Sequence, residues 1–371
     1  MAEVTIRDVA SEAGLSVSSV SRILRGGQGH VYPTSTHDRV REIADRLGYK
    51  ANVAARLLRQ STRTLIGIST HLTEHPHLNR FLVTLRSELI QRGYDPVILD
   101  AQQLSGAEQG QAFPPLHMLA GLINLGFDLE HGCPEHYAAI RKNIPIVAMQ
   151  AISNDASKWI DAVHVDFENS YGQAIKHLLD LGHKKIAYLG PIDGVTPNDS
   201  YKYEGWKAAA KEFDLEESSF IPWSVYYTRA VNNLTNPSKN TSLTGSDDIM
   251  SQARIQQAVI EVATTLESMN PRPTAVICAS DEVAICLQSC LLVRGWKLPE
   301  DLSIIGYDGI SFGAYAFPAL TTIAPDYQAM AEAAIQLLLS HISEGNIGEK
   351  EGTKVFIKPH LILRESTTRV Q

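Results

Sequence analysis

Apolar residues near the start of the chain recur at helical spacing in three short runs. In "VTIRDVASEAG", Ile6, Val9, Ala10 and Ala13 fall on one face. Thr5 can cap that run with Asp8 three residues on, a short-side-chain variant of the capping box, and Gly14 can take the left-handed conformation that ends a helix. Ser16 is placed to cap the next run, in which Val20, Ile23 and Leu24 form an inward stripe and Val17, Ser18, Ser21 and Arg22 are left outward. A third run, "STHDRVREIADRLGY", turns Val40, Ile43, Ala44 and Leu47 inward and closes at Gly48. Two helices joined by a short turn containing Gly, braced by a third, make a helix-turn-helix unit. In that geometry the second helix enters the DNA major groove. Serine is small enough for close approach to base edges, and Arg22 can bind phosphate or fork onto guanine.

The pattern then changes. "NVAARLLRQSTR" offers Asn52 as a cap, then Val53, Ala54, Ala55, Leu57 and Leu58 among Arg56, Arg59 and Arg63. So short a basic, apolar helix is marginal alone in water and needs a surface to fold on. One such surface is a second copy in a DNA minor groove, each copy wedging a leucine between base steps. Beyond it, β-branched runs alternate with amphipathic ones: "TLIGIST", "DPVILDA", "GLINLGF" and "IPIVAMQ", then "VHVDFENSYGQAIKHLLDLGHKKIAYLGP", "PTAVICASDEVAICLQSCLLVRGW" and "LSIIGYDG". Two rounds of strand–helix alternation predict two α/β subdomains with parallel sheets. Ligands of such sheets bind beyond the carboxyl ends of the strands, which points to the cleft between the halves.

Charge sharpens the division. Residues 1–64 hold ten Lys and Arg against six Asp and Glu, a net of +4, which leaves −12 for the remainder of a chain whose total is −8. A small basic head on an acidic body implies a polyanion partner for the head alone. With 44% hydrophobic and 20% charged residues the composition is that of a globular protein. The N-terminus lacks the basic start and apolar stretch of a signal peptide, so a cytoplasmic location is expected. No leucine heptads follow "LRESTTRVQ", so a dimer is expected rather than a tetramer held by a coiled coil.

Catalytic and cofactor signatures are missing. There is no G-x-x-x-x-G-K-[ST], no G-x-G-x-x-G after a strand and no G-x-S-x-G, so neither an enzyme nor a cofactor is expected. The histidines of "HLTEHPH" are interrupted by Pro76 and lack a completing ligand set, so no metal site is expected there. His71, directly after the first strand of the body, is better placed to hydrogen-bond a ligand. Cys133, Cys278, Cys286 and Cys290 form no Cys-x-x-Cys pair and read as buried free thiols. Residues 224–249, rich in Asn, Ser and Thr, read as a polar loop.

These residues carry a resemblance. "VTIRDVASEAGLSVSSVSRIL", "RVREIADRLGY" and a hinge ending in Leu-Leu-Arg are similar to the lactose-repressor/galactose-repressor family of bacterial transcription factors, and so are "DLGHKKIAYLGP", "ASDEVA", "SIIGYDG", "PALTTI" and "LILREST" over nearly the whole chain. The resemblance implies an α/β chain with an N-terminal three-helix helix-turn-helix domain (1–50), a hinge helix (51–62) and a periplasmic-binding-protein-like core (63–371) of two doubly wound subdomains. Their expected boundaries are 63–164 with 326–357, and 165–325 with 358–371.

Carried over by position, Thr5, Ser16, Val17, Ser18, Ser21, Arg22, Asn52, Ala55, Leu58 and Arg59 would meet double-stranded, pseudo-palindromic operator DNA. Val17 and Ser18 would choose its sequence and Leu58 would supply the wedge. Lys202, Ser280, Asp281 and Asp308 would line the cleft, with Asn124 and Gln150 at strand ends and Trp223 or Phe81 as an apolar platform. Acids, amides and bases around a platform suit a hydroxyl-rich ligand. The expected function is a homodimeric repressor of carbohydrate-use genes released by a sugar; the alternatives are a co-repressor mechanism responsive to a purine or other metabolite, and, ranked below it, a sugar-binding transport protein or an α/β enzyme. Lys202 stands where many relatives have arginine, and Ser280-Asp281 where many have Asn-Asp. Lysine brings a point charge without a bidentate fork.

Overall fold

The strands of the body, most of them buried along their whole length, assemble into one parallel and one mixed sheet. In the computed structural model the described residues are 4–24, 32–49, 64–70, 76–100, 116–125, 140, 143–149, 160–190, 197–215, 220–222, 246–344 and 352–370. The chain divides into two units, residues 1–63 and 64–371.

In the first unit, helices α1 (Ile6–Ala13), α2 (Val17–Leu24) and α3 (Thr34–Leu47) bury Val9, Ala10, Ala13, Val20, Ile23, Val40, Ile43 and Ala44 against one another. Gly14 and Gly48 end α1 and α3 at φ of 66° and 69°, a region that costs a side chain little only when there is none.

The second unit holds two six-stranded sheets. The first runs β11 (Lys354–Ile357), β5 (Asp161–Val165), β4 (Ile146–Met149), β3 (Leu119–Asn124), β1 (Leu65–Thr70), β2 (Asp95–Asp100), all parallel. The second runs β12 (His360–Ile362), β10 (Thr321–Ala324), β9 (Ser303–Tyr307), β8 (Ala275–Cys278), β6 (Ile186–Gly190), β7 (Phe220–Pro222), with β12 alone antiparallel. Every residue of β1, β3, β4, β5, β6, β8, β9 and β10 is buried, as strands covered on both faces must be. The covering helices are α4 (Pro76–Gln91), α5 (Phe167–Asp180), α6 (Pro197–Glu212), α7 (Ser246–Ser268), α8 (Asp281–Val293) and α9 (Tyr327–Glu344). The chain passes between the sheets three times: from β5 to α5, from β10 to α9, and from β11 to β12.

Two expectations need correction. Residues 246–249, read as loop, begin α7, because the apolar face that buries Ala258, Val259, Val262, Ala263 and Leu266 nucleates a helix that propagates upstream. The remainder of that loop lies outside the described residues. Of the thiols, Cys278 is fully buried, whereas Cys286 and Cys290 are half-buried on α8; Cys133 lies outside the described residues.

Candidate functional sites

The first site is α2. Ser16 caps it, its hydroxyl accepting from the Ser19 N–H at 3.1 Å and sharing hydrogen bonds with the Ser18 and Ser19 hydroxyls at 2.8 Å. Asp8 reaches back to Thr5, accepting from its N–H and its hydroxyl at 2.7 Å each, and these bonds hold the Asp8 carboxyl below its ordinary pKa. Tyr32 donates to Ser19, Arg39 donates to the Ala13 carbonyl, and Arg46 pairs with Glu12, which ties the three helices together. What α2 presents outward is Val17 (41% exposed), Ser18 and Arg22, with Ser21 half-buried beside them. Arg22 is exposed on this face, where a guanidinium can reach a phosphate or a base edge. Asn52, Ala55, Leu58 and Arg59 lie outside the described residues.

The second site sits beyond the carboxyl ends of β8, β9 and β10. Lys202 of α6 is 7% exposed; its Nζ donates to the Ala279 carbonyl at 2.7 Å and to Asp308 Oδ1 at 3.2 Å, and stands 4.4 Å from the Tyr307 ring centre. Burying two charges is costly unless they are paired and hydrogen-bonded, and this pair is both. Asp308 follows β9 at φ 103°, a strained conformation for a residue with a side chain. The turn it opens is held by side chains from four elements. Tyr327 of α9 donates to the Asp308 carbonyl at 2.6 Å, and Arg80 of α4 donates to the Gly309 carbonyl at 2.9 Å. The Gly309 N–H donates to Thr322 at 3.3 Å, and the Ile310 N–H to Asp281 Oδ2 at 2.7 Å. Strain of this kind persists only where the surroundings over-determine it.

Asp281 is therefore a structural member of the site: fully buried, its oxygens taken by Ile310 and by Thr322 at 2.5 Å. Burial, then the neighbouring Asp308 charge, push its pKa up to about 8 against the opposing pull of those hydrogen bonds and Lys202. Gly306 leaves the room it needs, since a Cβ there would lie 2.1 Å from Asp281 Oδ1. Ser280 caps α8, accepting from the Val283 N–H at 3.2 Å. Phe81 is 1% exposed and packs edge-on against Tyr327, ring centres 4.4 Å apart, while the Arg80 guanidinium lies over the Tyr327 ring, 4.8 Å from its centre. Asn124, at the end of β3, is buried and donates to Ser69 of β1 at 2.9 Å. The structure thus brings Lys202, Ser280, Asp281 and Asp308 to one end of the second sheet, and keeps Phe81 and Asn124 among the buried residues of the first subdomain. His71, Gln150 and Trp223 lie outside the described residues.

Sequence reading missed Arg80, Tyr327 and Thr322. The one signal for them was the Asp-Gly after "SIIGY", which marks a turn in need of outside support.

Comparison with known proteins bears on both sites. The profile described as "Bacterial regulatory proteins, lacI family" matches residues 5–52, and that described as "Periplasmic binding protein-like domain" matches residues 175–367, over half of the chain. The chain belongs to the lacI family. It is a DNA-binding transcriptional regulator of that family, and its two-sheet body is the periplasmic-binding-protein-like fold joined to the helix-turn-helix head. Among its relatives is the HTH-type transcriptional repressor PurR of Haemophilus influenzae (strain PittEE), 26% identical over 372 residues, with 99% of each chain covered. Two solved structures share the fold of this lacI-family chain. One is the lac repressor dimer bound to operator and the anti-inducer ONPF, with a TM-score of 0.67 at 20% identity over 99% of this chain and 100% of that one. The other is the transcriptional regulator CelR–cellobiose complex, with a TM-score of 0.61 at 20% identity over 98% of this chain and 100% of that one.

Proposed function

We propose that this regulator is a homodimeric repressor of carbohydrate-use genes whose grip on a pseudo-palindromic operator is released by a sugar. The observation that carries the ligand reading is the buried Lys202–Asp308 pair at the carboxyl end of a parallel sheet, beside the rings of Tyr307 and Tyr327. A fixed base and a fixed acid recognise neighbouring hydroxyls, which donate to the acid and accept from the base. The CelR–cellobiose complex lends support from a distant relative. On the DNA side, Val17, Ser18 and Arg22 meet base edges, Thr5, Ser16 and Ser21 lie at the backbone, and Asn52, Ala55, Leu58 and Arg59 form the paired hinge. Dimerisation is supported by Phe312, Tyr315 and Phe317, which are 62%, 84% and 80% exposed on one short segment, a surface that a second copy would cover. Sedimentation of the full chain at micromolar concentration should give a dimer; a monomer or a stable tetramer refutes that part.

Thermal unfolding of the full chain against mono- and disaccharides, sugar phosphates and purines tests the ligand reading. A ligand at about a hundred times its dissociation constant adds about 2.7 kcal/mol. The expected result is a rise in Tm with a sugar, lost in Asp308→Ala and accompanied by release of operator DNA. A purine that stabilises the chain and tightens operator binding would replace sugar release with co-repression.

A further inference from the structure

On the face of α6 next to the one that carries Lys202, the body contains a cavity of about 370 Å³. Tyr201, Glu204, Gly205 and Ala208, at helical spacing, line it. Lys202, about 100° further round the helix, does not. The opposite wall comes from the first sheet, with His164 of β5 and Phe356 of β11, and Phe167 and Glu168 at the start of α5 complete it. Both subdomains therefore contribute, next to two of the three points where the chain passes between them.

The wall is aromatic. Phe356 stacks on the His164 imidazole with ring centres 5.3 Å apart and planes 23° apart, and the Tyr201 ring stands 6.1 Å from it. Phe356 is nevertheless 58% exposed, so one of its faces is free of protein. His164 is 3% exposed and its Nε2 has no hydrogen-bond partner among the described residues, an unusual state for a buried ring nitrogen in a folded protein. Burial and the nearby Lys354 ammonium push its pKa down to about 4, so the ring is neutral near pH 7. The rim is acidic: Glu168 and Glu204 are exposed, and Asp166 uses one oxygen to cap α5. The facing cations are Lys354 and Lys207, the latter already paired with Glu204 at 3.1 Å.

From this combination we infer that the cavity is a second small-molecule site, separate from the cleft, and that it takes a planar organic cation of the amidine, guanidine or aromatic-amine class. The flat body lies against Phe356 and Tyr201, where the ring faces attract a cation. The charge meets Glu168 and Glu204, and a ligand N–H or acceptor supplies the partner that His164 lacks. This site stands whether or not the cleft ligand is a sugar.

The test is titration of the full chain with benzamidine, followed by calorimetry and by the imidazole NMR signals, with benzamide and benzoate as neutral and anionic molecules of the same shape. Benzamidine should saturate one site, shift the His164 ring signals, and bind at least about tenfold more tightly than benzamide, with benzoate not binding. Glu168→Gln with Glu204→Gln, two surface changes that leave the core intact, should weaken binding by about tenfold. Phe356→Ala should weaken it further. Equal binding of benzoate, no saturation, a response of other histidines without His164, or binding unaffected by the double glutamine variant would each overturn the assignment.

Discussion

Replacing Asp281 by Asn should make the protein's stability respond to pH differently, with a sign that the structure dictates. In the native state Asp281 keeps its proton up to about pH 8, whereas in the unfolded chain it loses it near pH 4. Between those values the native state binds one more proton than the unfolded state, so this carboxyl's contribution to stability falls as pH rises, by about 1.4 kcal/mol per pH unit. Asn carries no such proton. Its amide oxygen can accept from the Ile310 N–H and its amide nitrogen can donate to Thr322, preserving the shape of the site. Asp281→Asn should therefore gain on the wild type by about 2.7 kcal/mol between pH 5 and pH 7, or about 5 °C in Tm for a body of this size. Tryptophan fluorescence during guanidinium unfolding at pH 5, 6 and 7 reports the body alone, because all four tryptophans follow residue 64. A stability gap that stays constant across this range would mean that Asp281 is ionised in the native protein, and the reasoning from burial would fail.

The DNA-reading helix offers a further check. Exchanging Val17 and Ser18 for other pairs should change which operator is selected from a randomised pool while leaving the fold unchanged, since both side chains are exposed and Val20 and Ile23 carry the packing. If such exchanges lowered affinity equally for all sequences, α2 would not be the reader.

The head was legible because its information is local. Gly14, Ser16, Gly48 and the apolar spacing of Val9, Ala10, Ala13, Val20 and Ile23 each act within a few residues of themselves, and all of them do in the structure what the spacing implied. The two-sheet body was legible for the same reason, strand by strand. The turn at Asp308 was not. Arg80 lies 229 positions from the Gly309 carbonyl it holds, and no periodicity connects them. The inward turn of Asp281, away from open solvent and toward Thr322 and Ile310, also depends on Gly306 of a neighbouring strand. The polar composition of 224–249 concealed the start of α7, whose helical signal lies downstream in residues 255–266.

The threefold passage of the chain between the sheets has a consequence for how the body is made. The first sheet needs β11, and the helix packed over β3, β4 and β5 is α9, yet both follow β6 to β10 of the second sheet in sequence. A chain emerging from a ribosome therefore exposes the apolar faces of β1, β3, β4 and β5 until synthesis is almost complete. The second sheet likewise waits for β12, which arrives after β11. Neither half can close early and shelter the other, so nascent or truncated chains carry unpaired strands and uncovered hydrophobic surface, the condition that invites aggregation and chaperone capture. A premature stop between β6 and residue 357 would leave two unfinished domains where a simple tandem arrangement would leave the first intact.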